Sequence, residues 1–274
     1  MSVNLPLPDG GLDLLGKVAR ENSNPGLYIS GKGPVEELLK LFSPEWLFSE
    51  DFMIEEVTDI TTNNLAATEL LFYYCADSSR LDFLTNLPGL QSLILVECQS
   101  VTIKSIPFEQ LSNLTSFCLF GSDIHDLSFL SLMPGLENLD LVACENLEEI
   151  GSLSEVSNLR GLGFNDCNMI QDISSINDLS DLERLTLPEG ISQSGFEAVL
   201  VAHPSMKILE LLYCDNIEDI SPIKDLLQLE AITLRMSCLS LRKAERMWFI
   251  VLETWQKRQT GTGFGNNLWP ISGS

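Results

Sequence analysis

LENLDLVACENLEEI, residues 136–150, carries the frame on which the chain is built. Leu139 and Leu141 alternate with Asp140, the period of two expected of a short strand that buries one face. Leu136 stands three residues ahead of Leu139, and Cys144 stands three residues after Leu141. Beyond the cysteine, Leu147 and Ile150 supply a second apolar set on a return segment. One strand of this length cannot bury its own apolar side. A chain made of such units must therefore stack them.

The frame apolar-x-x-apolar-x-apolar-x-x-Cys recurs as LQSLILVEC from Leu90, LRGLGFNDC from Leu159 and MKILELLYC from Met206, with a weaker first copy, ATELLFYYC, from Ala67. LTSFCLFGS from Leu114, LERLTLPEG from Leu182 and LEAITLRMS from Leu229 place another small residue where the cysteine stands. Eight copies thus start at 67, 90, 114, 136, 159, 182, 206 and 229, at spacings of 22–24 residues. Repetition at this period resembles the leucine-rich repeat family over about residues 67–239. The resemblance implies an α/β solenoid, a leucine-rich repeat horseshoe of about eight repeats. Its parallel sheet would line the concave face, its strands ~4.8 Å apart.

Counting from the first residue of each copy, Cys75, Cys98, Cys144, Cys167 and Cys214 all occupy position 9. In the family this position lies buried where the chain leaves the strand, and a cysteine there acts as a small hydrophobe with a weak donor. A buried register offers neither exposure nor a lowered pKa, so these thiols are expected to be inert. After Cys98, Cys144, Cys167 and Cys214 the next apolar anchor comes three residues on. After Ser122 and Ser237 it comes two on. The cysteine copies should therefore turn through one more residue. IEDISPIKDLLQLEAITL, residues 217–234, also resembles the return segment of internalin-type repeats, with IQDISSINDLSDLERLTL and IHDLSFLSLMPGLENLDL as variants.

Residues 1–66 break the frame and are expected to form a partly helical cap, because an end repeat would otherwise expose its core. GPVEELLKLF, from Gly33, has Pro34 in its first turn and apolar residues at helical spacing. MIEEVTDI, from Met53, is a possible strand. GLYISGKG, residues 26–33, nearly matches a phosphate-binding loop, but Gly33 replaces the hydroxyl residue, and a flexible turn is expected. SQSGFEAVLVAHP, residues 192–204, reads as a helical return. SLRKAERMWFIVLETWQKRQ reads as a capping helix over 240–258, and 259–274 as a flexible tail.

The chain of 274 residues is 45% hydrophobic, enough for a sizeable core, and no apolar run approaches the ~20 residues of a membrane helix. Its start has neither a basic n-region nor an apolar h-region, so no secretory signal is expected. Seven cysteines without a single C-x-x-C pair fit reduced thiols in the cytoplasm rather than a zinc or redox motif. The two histidines, His125 and His203, assemble into no triad or metal set, so no catalytic residue, metal or cofactor is expected.

The formal charge of −23 is concentrated in residues 67–234, with 6 basic and 26 acidic side chains, and disfavours nucleic acid and anionic membranes. Outward strand positions should be aromatic and apolar at the N-terminal end, through Leu71, Tyr73, Tyr74, Ile94, Val96 and Phe120. They should be acidic along the middle, through Glu97, Asp140, Asp166, Glu189 and Glu210, with Tyr213 beyond. Cys118, at position 5, should share that face. Aromatic anchors flanked by charge suit a protein interface. The reading is a non-catalytic scaffold, an inhibitor or immunity-type protein that captures a basic protein on an acidic concave face. A regulatory or adaptor subunit and an internalin-like surface or host-directed binder are the alternatives.

Overall fold

The structure is a computed structural model, and it describes residues 2–4, 27–30, 46–50, 68–73, 81, 84–85, 87–97, 103 and 106–235. Among the described residues, eleven strands form one parallel sheet in strict chain order. They are β1 (Ser2–Asn4), β2 (Leu27–Ser30), β3 (Trp46–Glu50), β4 (Glu69–Tyr73), β5 (Ser92–Val96), β6 (Ser116–Phe120), β7 (Asn138–Val142), β8 (Gly161–Asn165), β9 (Arg184–Thr186), β10 (Ile208–Leu212) and β11 (Ala231–Arg235). From β4 onward every strand is a copy of the frame, with position 4 in register with position 4: Leu70, Leu93, Phe117, Leu139, Leu162, Leu185, Leu209 and Ile232. Positions 4 and 6 are buried and their neighbours half-buried in β5, β6, β7 and β10. This is a leucine-rich repeat solenoid.

The sheet does not begin at residue 67. Ser2 pairs with Tyr28, Tyr28 with Phe48, and Phe48 with Leu71, offsets of 26, 20 and 23 residues. The upstream region thus contributes three strands to the same ladder, and the residue-67 boundary marks only where the period becomes regular. Leu27–Ser30, inside the stretch expected to be a flexible turn, is strand β2. The helix expected from Gly33, the stretch from Met53, the capping helix over 240–258 and the tail over 259–274 lie outside the described residues.

The return segments follow a period of three. Leu127, Leu130, Met133 and Leu136 are joined by N–H to C=O bonds of 2.9–3.0 Å, each reaching three residues back. Ile173, Ile176, Leu179 and Leu182 repeat this at 2.9–3.3 Å, and Ile220, Ile223, Leu226 and Leu229 at 3.1–3.2 Å. All twelve side chains are buried. A 3-10 helix has three residues per turn, so an apolar residue every third place stays on its inner side. An Asp-x-Ser phrase, with Leu or Ile between, starts these turns. Asp172 Oδ1 accepts the Ser174 N–H at 2.9 Å, and Asp219 Oδ1 accepts that of Ser221 at 2.9 Å. A short carboxylate two residues ahead satisfies a backbone donor that the turn leaves open.

One return is an α-helix as expected: α1, Gln193–Ala202, capped by Ser192 Oγ accepting the Gly195 N–H at 3.1 Å. It buries Phe196, Val199 and Leu200. Just ahead of it β9 is short. Pro188 stands at position 7 and has no N–H with which to continue the ladder.

Candidate protein-binding face

The turns that leave β5, β6, β7, β8 and β10 are built on position 8. Glu97, Ala143, Asp166 and Tyr213 have φ of 52–56°, and Gly121 in the serine copy has φ 66°. This left-handed residue keeps its N–H on the ladder: Glu97 donates to Phe120, Gly121 to Val142 and Ala143 to Asn165 at 2.8–2.9 Å. The cysteine and serine copies share that step and then part. In the cysteine copies Leu147 donates back to Cys144 at 3.2 Å, Ile170 to Cys167 at 3.4 Å and Ile217 to Cys214 at 3.1 Å. Ser122 accepts no such bond, and Ile124 is buried two residues on. The extra residue after the cysteines closes a tight turn, as their spacing predicts.

The described position-9 cysteines line the wall of the turns, although a hydrogen bond with Cys167 lowers the Cys144 pKa, against the expectation for a buried thiol. Cys144, Cys167 and Cys214 are fully buried free thiols. Cys167 Sγ donates to the Leu141 and Asn165 carbonyls at 3.5 Å, and Cys214 Sγ to Pro188 at 3.6 Å and Leu212 at 3.5 Å. Burial pushes the Cys214 thiol up to about 12, with the Glu189 and Asp215 carboxylates adding to it. Cys118 does stand on the sheet face beside Asp140, half-buried, and burial raises its thiol to about 11. Cys75, Cys98 and Cys238 lie outside the described residues.

The sheet face divides into two halves. Position 5 runs Leu71, Ile94 and Cys118 in register, then Asp140, Gly163, Thr186, Glu210 and Thr233. Position 7 adds Tyr73, Val96, Phe120 and Val142, likewise in register. Tyr73 stands in that backbone register, and the apolar half holds Leu71, Ile94, Val96 and the predicted Phe120. Tyr74 lies outside the described residues.

The middle of the face is not a free acidic ladder. Asp140 is held by Arg184, which reaches back across β8: Nη1 donates to Oδ1 and Nη2 to Oδ1 and Oδ2, all at 2.9 Å. The pair can meet two strands apart because β8 presents glycine at positions 3 and 5. A Cβ at Gly161 would sit 2.5 Å from Asn138 Oδ1 and 3.0 Å from Arg184 Nη2. One at Gly163 would run into the Asp140 carboxylate. Glu210 accepts from buried Thr186 at 2.6 Å, and Glu183 is paired with Lys207 at 2.8 Å. Arg184, Thr186 and the two glycines are the face residues that sequence reasoning missed. The visible signal was Gly-Leu-Gly at two outward positions of one strand.

The acidity stands instead on the rim where the chain leaves the strands. Glu97, Asp123, Glu145, Asp166, Glu189 and Asp215 follow one another there, and among the described residues of these turns no lysine or arginine intervenes. Glu97 lies over Gly121, whose Cβ would be 3.0 Å from the Glu97 carboxyl carbon. Burial, then a hydrogen bond shared with Asp166 and repulsion from Asp166 and Asp215, raises the Glu189 pKa. Tyr213 closes this rim with the Arg235 guanidinium 5.3 Å above its ring. The structure thus brings Glu97, Asp166, Glu189 and Tyr213 onto one rim and leaves Asp140 and Glu210 inside the face, each already engaged.

No protein-family model matches the chain, and no curated protein matches it. Among solved structures, a chain of the Toll–Spatzle complex from Drosophila superposes with a TM-score of 0.55 at 14% identity, over 87% of this chain and 34% of that one. An internalin from Listeria monocytogenes matches with a TM-score of 0.47 at 19% identity, over 80% of this chain and 75% of that one. Internalin C2 of the same bacterium matches at 0.46 and 21%, over 64% and 75%. The likeness to the Toll-complex chain is one of fold and supports the leucine-rich repeat solenoid. This chain spans about a third of its length.

Proposed function

We propose that this protein is a non-catalytic binding scaffold of inhibitor or immunity type that captures a basic protein partner, with the rim Glu97–Asp166–Glu189–Tyr213 steering and the apolar half of the sheet face anchoring. The observation that carries the reading is the rim itself: successive carboxylates in turns that hold no described lysine or arginine, next to a half-buried apolar strip. Such a field speeds association with a cationic surface and repels nucleic acid and anionic lipid. The reading places the protein in the reducing cytoplasm. The free thiols of Cys118, Cys144, Cys167 and Cys214 support that placement.

The test is affinity capture from extracts of the source cell, with identification by mass spectrometry. The wild type should retain a basic protein that is released by raising salt to about 0.5 M, where the screening length shortens to a few ångströms. The triple variant Asp166→Lys, Glu189→Lys, Asp215→Lys should lose it, whereas Phe120→Ala should weaken capture without changing its salt dependence. Asp140 and Glu210 are left intact, since reversing them would break Arg184 and Thr186 contacts rather than probe a partner. Retention of the same partner by the triple variant would remove the charge-based part of the proposal.

A further inference from the structure

The helical return α1 is fastened unequally at its two ends. At its start Gln193 Oε1 accepts the Glu218 and Asp219 N–H groups of the next repeat at 2.9 and 3.1 Å, and its Nε2 donates to the Asp219 carbonyl at 2.8 Å. At its finish the chain passes into His203, whose N–H donates to Val199 at 3.0 Å and whose carbonyl accepts from Met206 at 3.1 Å. That end is held by apolar burial, through Val199 and Leu200 and with the His203 ring enclosed beside them. His203 is 2% exposed, and neither ring nitrogen has a hydrogen-bond partner.

An imidazole in this setting is tolerated only when neutral. A second proton would be taken up with no acceptor in bonding geometry and no counter-charge. The charged side chains on the elements around it supply none: Glu197 of α1, Asp172 and Asp178 of the preceding return, Asp181 after it, and Glu218, Lys224 and Asp225 of the following return are exposed, Asp219 accepts from Ser221, and Glu183 and Lys207 are paired with each other. Burial therefore holds the ring below the ordinary histidine pKa. The Ile176 carbonyl, outside bonding geometry, opposes this only in part.

We infer that α1 is an acid-released element: His203 takes up a proton only by leaving the core, and the last turn of α1 undocks with it. The direction follows from the lowered folded-state pKa. Docking is at full strength above the unfolded-state pKa and is lost as pH falls below it. The groove of about 340 Å³ between α1 and the Asp172–Asn177 return, walled by Val199 and Ser194, would widen as the helix lifts.

The test is a pH series from 7.5 to 5, followed by NMR on the whole chain. The chain has only two histidines, so loss of one ring signal in His203→Leu assigns the other. If only the undocked form binds the proton, with a pKa of about 6.5, the opening equilibrium of the Val199–Ala202 amides should rise by roughly thirty-fold across the series. It is read as hydrogen exchange corrected for intrinsic rates, while amides of β7 and β8 keep their protection. His203→Leu should abolish that rise. The inference is overturned if α1 protection is unchanged down to pH 5, or if the His203 ring takes up its proton while α1 stays protected. A rise of equal size in His203→Leu would also overturn it. Should His203→Leu not fold, the wild-type comparison of α1 with β7 decides alone.

Discussion

At the residue scale, position 8 sets the turn chemistry and accepts strain to do so. The left-handed region costs a non-glycine residue about 1–2 kcal/mol, yet Glu97, Ala143, Asp166 and Tyr213 all occupy it and only Gly121 does so freely. Three of the four carry side chains the rim uses. Ala143 does not: its methyl group is half-buried, and its backbone N–H still reaches Asn165 at 2.8 Å. Ala143→Gly should therefore run against the usual cost of glycine. Relief of the left-handed strain outweighs the extra freedom of the unfolded chain, and the net gain should be about 0.5–1 kcal/mol. An upward shift of the urea midpoint at unchanged slope is the expected outcome, and a downward shift would show that the turn owes nothing to this φ.

At the element scale, β8 is a strand whose outward side is filled by its neighbours. Elsewhere in a sheet Gly→Ala is neutral or helpful, because alanine loses less entropy on folding. Here Gly163→Ala should instead destabilise by about 1–3 kcal/mol, the usual cost of overpacking, since the new methyl group needs the space of the Asp140 carboxylate. In an Asp140→Ala background the same change should cost much less, and chemical denaturation of the four proteins closes the cycle. The strap also shows where legibility ends. Leu139 and Leu141 announce their strand because burial on one face imposes a period of two, and Cys144 announces its turn because the anchor spacing fixes loop length. Arg184 stands 44 residues from Asp140, two strands away, and no local period encodes a contact that skips a strand. The charge pattern alone counted Asp140 and Glu210 as free alongside Glu97, Asp166 and Glu189, and could not tell the engaged carboxylates inside the face from those on its rim.

At the scale of the whole molecule, stability is shared between neighbouring repeats, so the ends matter more than their size suggests. The regular period hides one of them. Leu70, at the strand that looks first in sequence, is 2% exposed, and β4 pairs on both sides, with β3 through Phe48–Leu71 and with β5 through Leu71–Ile94. Offsets of 26 and 20 residues carry β1–β3 past any search at a fixed spacing, although each strand bonds in the same register as the rest. Removing residues 1–66 would strip three of eleven strands and leave the β4 backbone without partners on one side. Such an edge is a template for pairing with another chain. The truncated protein should therefore self-associate at concentrations where the full chain does not, by light scattering after gel filtration. Its unfolding slope in urea should fall by roughly a quarter, in line with the surface no longer buried. A truncated chain that kept the solution state and slope of the full protein would show that the regular repeats form a closed unit by themselves and that the upstream strands only lie against it.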